Sequence, residues 1–363
     1  MIYFDHNATT AVDIQVVDAM LPYLHNIYGN PSSLYRLGRM ARSAVDTARE
    51  QLAALVDCEP GQIIFTSGGS EANALALVNA GNRVFISAVE HPSVTANADK
   101  HQHVKILDVD NCGRLQNTAL PLSDIQSGDF VSIMQANNET GVIQDIAAIA
   151  AELAGTGVTL HSDAVQALGK MPLSFKQLGV QLMSLSSHKI YGPKGCGALV
   201  VSSDFPLQGW LRGGDQEQGL RAGTENVAAI VGFGKAAELA KQQLTARMDK
   251  LQTLRDRLEH QLKTIPGLMI FGETAPRLVN TVQFGLPACQ GEMLLMQLDK
   301  RNIAVSSGSA CASTAGEISP VLAAMDVAPT LAAAAIRVSL GKDNNEQEVD
   351  EFVETLKNLL TLN

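Results

Sequence analysis

From about residue 60 the chain alternates short β-rich runs with helical stretches. QIIFTS is followed by EANALALVNA and RVFIS by a polar helical stretch; VKILDV, FVSIMQA, VTLHSD, LMSLSS and GALVV continue the series, with IAAIAAELA among them. Strands alternating with helices specify βα units on a mostly parallel sheet. Sheets of that kind bind ligands at the carboxyl ends of their strands. Here those ends are rich in polar groups: TSGGSE follows IIF, AVEHPS follows VFIS, ANNETG follows SIMQ, HSDAVQ follows VTL, and SSHK follows LMSL. A long helical stretch from Glu225 to about Thr264 then stops near Pro266 and Gly267. Beyond it the α+β mixture of LMIFGE, NTVQFGL, EMLLMQLDKR and IRVSLG reads as a smaller domain. The expected organisation is an N-terminal segment 1–25 packing with the small domain, a large domain 26–245, and a small C-terminal domain 246–363.

With 46% hydrophobic and 18% charged residues among 363, the chain has material for a large core. Lys plus Arg number 27 against 37 Asp plus Glu, a net charge of −10 that repels phosphate backbones and acidic lipid. Neither direct nucleic-acid binding nor a membrane partner is expected. The start MIYFDHNATT has no basic, apolar and small-residue series of a signal peptide, which predicts a cytoplasmic protein. Cys58, Cys112, Cys196, Cys289 and Cys311 are widely and irregularly spaced, so neither a disulfide framework nor a metal site is expected.

The segment LSSHKIYGPKGCGA sets Lys189 at a strand end among tight-turn residues. A lysine there can lose its charge by desolvation and act as an amine nucleophile toward an aldehyde, although a solvated charge or an anion ligand would look the same. Ser67-Gly68-Gly69-Ser70-Glu71 joins a strand to a helix, where backbone N–H groups can hold a phosphate, or where the string can simply cap the helix. Asp163 and Gln166 stand in HSDAVQ; an Asp at that place can keep a ring nitrogen protonated, or cap a helix. A phosphate cradle, an anion and a lysine on successive strand ends together fit pyridoxal 5′-phosphate better than a dinucleotide, since no GxGxxG follows a strand. His91 in VEHPS occupies another strand end, placed to stack on a ring and serve as acid or base.

The ordered blocks YFDHNATT, YGNPSS, TSGGSEAN, EHPSV, ANNETGVIQDI, HSDAVQALGK, SSHKIYGPKGCGAL, GLRAGTENV, SSGSACAS and IRVSLG resemble the class V aminotransferase group of fold-type I enzymes, and within it cysteine desulfurases of the NifS and IscS kind. The resemblance implies an α/β fold, with a mostly parallel seven-stranded sheet flanked by helices in the large domain. It implies that Lys189 carries the cofactor as a Schiff base, that His91 stacks on the ring and moves protons, and that Asp163 pairs with the pyridine nitrogen. Gln166 and Asn138 would lie on the ring-oxygen side, with Asn138 also near substrate. Gly69, Ser70, Ser186 and His188 would hold the phosphate, joined by Thr224 from the partner of a homodimer. Arg337 would take the carboxylate of L-cysteine. Lys189 or His91 would remove the α-proton, and the Cys311 thiolate would attack the substrate sulfur and pass a persulfide to an acceptor protein. The small residues around Cys311 in VSSGSACASTAGE suit a thiol that travels.

Three positions depart from the resemblance: Tyr35 stands where a histidine is usual, and Asp215 and Gln218 replace a glycine and an arginine in GGDQEQG. The chain ends at TLKNLLTLN without a scaffold-docking tail, so thiolation of tRNA or of a cofactor stands beside iron–sulfur assembly as the expected pathway. A selenocysteine lyase or transaminase on the same fold, or a desulfurase-like binding partner, are the alternatives.

Overall fold

The computed structural model describes residues 1–81, 83–116, 120, 123–287, 289–307 and 318–361. Its centre is a seven-stranded sheet in the order β2 (Ile63–Thr66), β8 (Gly197–Val201), β7 (Leu182–Ser186), β6 (Thr159–Asp163), β5 (Phe130–Ser132), β3 (Val84–Ser87) and β4 (Val104–Leu107), β1 being Ile2–Tyr3. The pairs from β7 through β4 are parallel, whereas β8 runs antiparallel to both neighbours. The cause is the length of the connection: residues 187–196 are fewer than the dozen or more that a parallel crossover needs. Two antiparallel steps restore the original sense, so β2 points the same way as β7. The segments after β2, β3, β5, β6 and β7 therefore all emerge at one edge of the sheet.

Helices cover both faces, as the apolar character of the strands on both sides requires. Helix Arg36–Val56 buries Ala41, Val45, Ala48 and Leu52 against the first half of the long helix Val227–Leu262. That long helix begins where the Asn226 side chain accepts the Ala229 N–H. Its first half supplies Phe233, Ala236 and Ala240 to the core under the large sheet, and its second half supplies Leu251, Leu254, Leu258 and Leu262 to a second core.

The second core lies beneath an antiparallel sheet in the order β12 (Ala335–Ser339), β10 (Thr281–Gly285) and β9 (Met269–Ile270), closed by helix Glu346–Thr361. β1 pairs in parallel with β11 (Ile303–Ala304), and Ile2 and Phe4 are buried in this second core. Phe4 meets Phe352 edge-to-face at 5.8 Å. Helix Ile14–His25, capped by Asp13, lies instead along the long helix, with Val16 buried in the first core. The N-terminal segment thus touches both cores, and residues 5–10 cross between them at the edge where the polar strand ends converge. No described helix is long and apolar enough to cross a membrane.

Candidate active site

The strand ends build an anion cradle first. β2 runs into Ser67 and Gly68, and Gly68 opens helix Gly69–Val78 without any side-chain cap, leaving first-turn N–H groups for another acceptor. A cavity of about 360 Å³ sits there, lined by Thr9, Gly69, Ser70, Ser186, His188 and Lys194 among others. The Ser186 hydroxyl is buried with no hydrogen-bond partner among the described residues. A Cβ at 69 would stand 2.8 Å from a Val165 methyl, so a larger residue there would push that side chain aside. Burial pushes the His188 imidazole down to about 4, and Lys189, Lys194 and Lys170 push the same way. Glu71 does not spoil this positive field, because Arg221 holds it at 2.9 Å and the Ser67 N–H at 2.7 Å. Burial raises that carboxyl, yet these donors outweigh it and leave it below the ordinary range. An orphaned hydroxyl, an uncapped helix end and Lys194 in the lining fit the phosphate of pyridoxal 5′-phosphate.

Lys189 ends the one-turn helix after β7, and its Nζ donates to the carbonyls of Asn7 at 2.5 Å and Ala8 at 2.8 Å. Asn7 is a hub. Its carbonyl also accepts from Gln166 Nε2 at 3.0 Å, and its side-chain oxygen accepts from Lys170 Nζ at 2.8 Å and Asn280 Nδ2 at 3.1 Å. Lys170 Nζ also reaches Gln166 Oε1 at 2.6 Å, which fixes the orientation of that amide. Burial drives the Lys170 amine well below its ordinary value, and Lys189 and Arg337 add to the effect.

Asp163 closes β6 with Oδ1 accepting the Val165 N–H at 2.9 Å and Oδ2 accepting from Asn73 Nδ2 at 2.7 Å. His91 is the first residue of the turn into helix Pro92–Ala98. Burial lowers its pKa, with Asp163 opposing and Lys189 reinforcing that shift, so cation, anion and imidazole share one field. Behind it, Glu90 is buried, its Oε1 accepting from Ser87 Oγ at 2.6 Å and the Met134 N–H at 2.7 Å. Burial pushes Glu90 up to about 8.

Arg337, on β12, is 2% exposed and donates to Asp5 at 2.6 Å and to the Asn138 carbonyl at 3.0 Å. Asn7 Nδ2 reaches the same carbonyl at 3.1 Å, so Asn138 is held between the two cores. Thr224 is exposed, outside the cavity lining. Cys311 lies outside the described residues. Cys58 and Cys196 are buried and their thiols are pushed up by desolvation, Cys58 to about 12, as suits packing residues. Tyr35, Asp215 and Gln218 are all on the surface.

The structure thus gathers Gly69, Ser70, Ser186 and His188 at one cavity, and links Lys189 to Gln166 and Asn138 through Asn7. Sequence reasoning gave no role to Asn7, Asn73, Glu90 or Lys170, although each falls inside a block already singled out. Their signal was a polar residue between positions of stated chemistry; their partners are distant in sequence.

A lysine after β7, a carboxylate at the end of β6 and an anion cradle after β2, all at one edge of the sheet, make a centre of the kind that can hold a phosphate-bearing ring beside an amine. The aminotransferase class-V signature matches residues 2–352, and the chain belongs to that family. A cysteine desulfurase of Gluconacetobacter diazotrophicus is 40% identical over 99% of this chain and 93% of its own length. Cysteine desulfurase 2 of Trichormus variabilis is 42% identical over 98% and 92%. The NifS-like protein of Rickettsia africae superposes with a TM-score of 0.92 at 35% identity, covering 99% of both chains.

Proposed function

We propose that this protein is a pyridoxal-phosphate-dependent cysteine desulfurase that converts L-cysteine to L-alanine and delivers sulfur to an acceptor protein. The observation that carries the reading is the convergence of Lys189, Asp163 and the Ser186 cradle at one sheet edge, in a chain about 40% identical to cysteine desulfurases along nearly its whole length. Bound there, pyridoxal phosphate supplies an aldehyde and a ring that draws electrons from the substrate α-carbon. Lys189 is the amine for covalent attachment, Asp163 is the anion for the ring nitrogen, and Gln166 and Asn138 take the ring-oxygen side. Gly69, Ser70, Ser186 and His188 hold the phosphate, with Thr224 of a second copy completing it. Arg337 takes the substrate carboxylate in a bidentate fork and gives up part of its pairing to Asp5.

The Cys311 thiolate attacks the sulfur of L-cysteine. An S–S bond forms as the C–S bond breaks, the electron pair of that bond stays with the three-carbon skeleton, and protonation releases L-alanine. The chain divides into a large domain 26–245 and a small domain 246–363, with 1–25 bridging, and works as a homodimer. Exposed Leu34, Trp210 and Leu211 supply apolar surface for that pairing. The four cysteines among the described residues are free thiols, which suits a reducing cytoplasm.

The test is alanine release from L-cysteine with a reductant present, comparing the loaded protein with Cys311→Ala. Activity at background in the variant, with cofactor still bound, supports the reading. Equal alanine from both removes Cys311 from the chemistry, and inactivity in both points to the selenocysteine-lyase or binding-partner alternatives.

A further inference from the structure

His91 caps helix Pro92–Ala98 with its own ring: Nδ1 accepts the backbone N–H of Ser93 at 3.1 Å. A backbone N–H only donates, so Nδ1 holds a lone pair and the proton of the neutral imidazole sits on Nε2. The Ser93 hydroxyl lies 2.7 Å from the same Nδ1, and since Nδ1 is an acceptor the hydroxyl is the donor. Ser93 Oγ in turn accepts from Asn73 Nδ2 at 2.9 Å, while the other hydrogen of that amide goes to Asp163 Oδ2 at 2.7 Å. A carboxylate accepts and does not donate, so the orientation of the Asn73 amide is settled as well. Asn73 is 1% exposed, so water does not compete at its amide, while Ser93 and His91 are half-buried.

We infer that Asn73 and Ser93 are positioning residues, forming a strut from Asp163 to His91 Nδ1 that holds the imidazole with its proton on Nε2. The inference rests on the reading of His91 and Asp163 given above and deepens it. Nδ1 is occupied by two donors, so the neutral ring presents an N–H to its surroundings and no free lone pair. The Asn73 amide donates in both directions, so no proton passes along the strut; it is a spacer, not a relay. His91 therefore meets the reacting groups as a hydrogen-bond donor through Nε2. The charged groups that act on the ring are Asp163 and Lys189. Burial and Lys189 outweigh Asp163 and favour the neutral imidazole, in agreement with the geometry.

The experiment is a long-range ¹⁵N–¹H correlation spectrum of the apo protein labelled in histidine, recorded between about pH 5 and 9, with His91 assigned by its loss in His91→Gln. The expected wild-type signal has Nδ1 unprotonated and Nε2 protonated. In Ser93→Ala and in Asn73→Ala the Nδ1–H form rises several-fold, and Ser93→Thr, which keeps a hydroxyl, returns it to the wild-type level. A wild-type ring protonated on Nδ1, or variants that leave both the tautomer populations and the titration midpoint unmoved, overturns the inference. If Asn73→Ala fails to fold, Ser93→Ala at its half-buried position decides, because the wild-type tautomer alone is also explained by the Ser93 backbone N–H. The readout is made without cofactor, so its failure is separate from failure of the desulfurase assay.

Discussion

At the scale of single residues, polar atoms left without partners report what the site is built to receive. The Ser186 hydroxyl costs stability while it is buried and unpaired, and repays that cost when a phosphate oxygen accepts from it. Ser186→Ala is thus expected to weaken pyridoxal-phosphate binding by about 2 kcal/mol, roughly thirtyfold in Kd, while leaving the apo protein as stable or slightly more so. Titration of the apo protein with the cofactor, paired with thermal melts, checks both signs; a less stable apo variant would contradict the argument. Glu90 gives a pH-dependent counterpart. Its pKa rises from 4.5 unfolded to about 8 in the fold, so the native state binds more protons over that window and stability falls as pH climbs through it. Glu90→Gln is expected to remove this loss, on the order of 1 kcal/mol per pH unit, and denaturant titrations from pH 5 to 8 measure it. Lys189, Asp163 and His91 could be singled out in sequence as candidates because each ends a strand-like run at a polar turn. Asn7 was not, because its bonds to Lys170, Gln166 and Asn280 span well over a hundred residues and leave no local pattern.

At the scale of elements, the turn Gln216–Gly219 shows how a surface loop is tied to the sheet. Glu217 and Gln218 take left-handed φ values of 45° and 62°, conformations that cost about 1 kcal/mol or more each for residues with a side chain. Arg49 holds Glu217 through two bonds at 2.6 and 2.9 Å, and the Phe65 N–H of β2 donates to the same carboxylate at 2.8 Å. The pair is buried and spans helix Arg36–Val56, β2 and the loop that leads to Thr224. Glu217→Ala leaves a buried guanidinium and an unpaired strand N–H, an expected loss of about 3–5 kcal/mol in chemical unfolding. Arg49→Met in the same chain should recover part of it, and a purely additive double variant would deny the coupling. The alternation of strands and helices was readable from β-rich runs and their polar ends. The reversed direction of β8 follows instead from the length of residues 187–196, which periodicity does not encode.

At the scale of the whole molecule, three histidines distribute acid sensitivity over both cores and the cavity between them. His6 lies against Gly341 beside the second core, His161 is locked between the Ser132 and Ser184 hydroxyls inside the large sheet, and His188 borders the phosphate cavity. Burial is the leading cause in all three and pushes each from 6.5 to about 4. A lowered pKa means that the unfolded chain binds more protons between those values, so stability is held above pH 6.5 and lost as pH falls toward 4. His6 and His161 owe their shifts first to packing, with Lys170 reinforcing the shift at His6 and Asp163 opposing it at His161, and neither lines the phosphate cavity. His188 differs, because a phosphate dianion in the cavity favours its protonated form and moves its pKa back up. The apo protein should therefore lose Tm more steeply than the loaded protein between pH 6.5 and 4.5, and His188→Gln should bring the two slopes together. Parallel slopes in the wild-type forms, or a slope difference that survives His188→Gln, would place the phosphate elsewhere than beside His188.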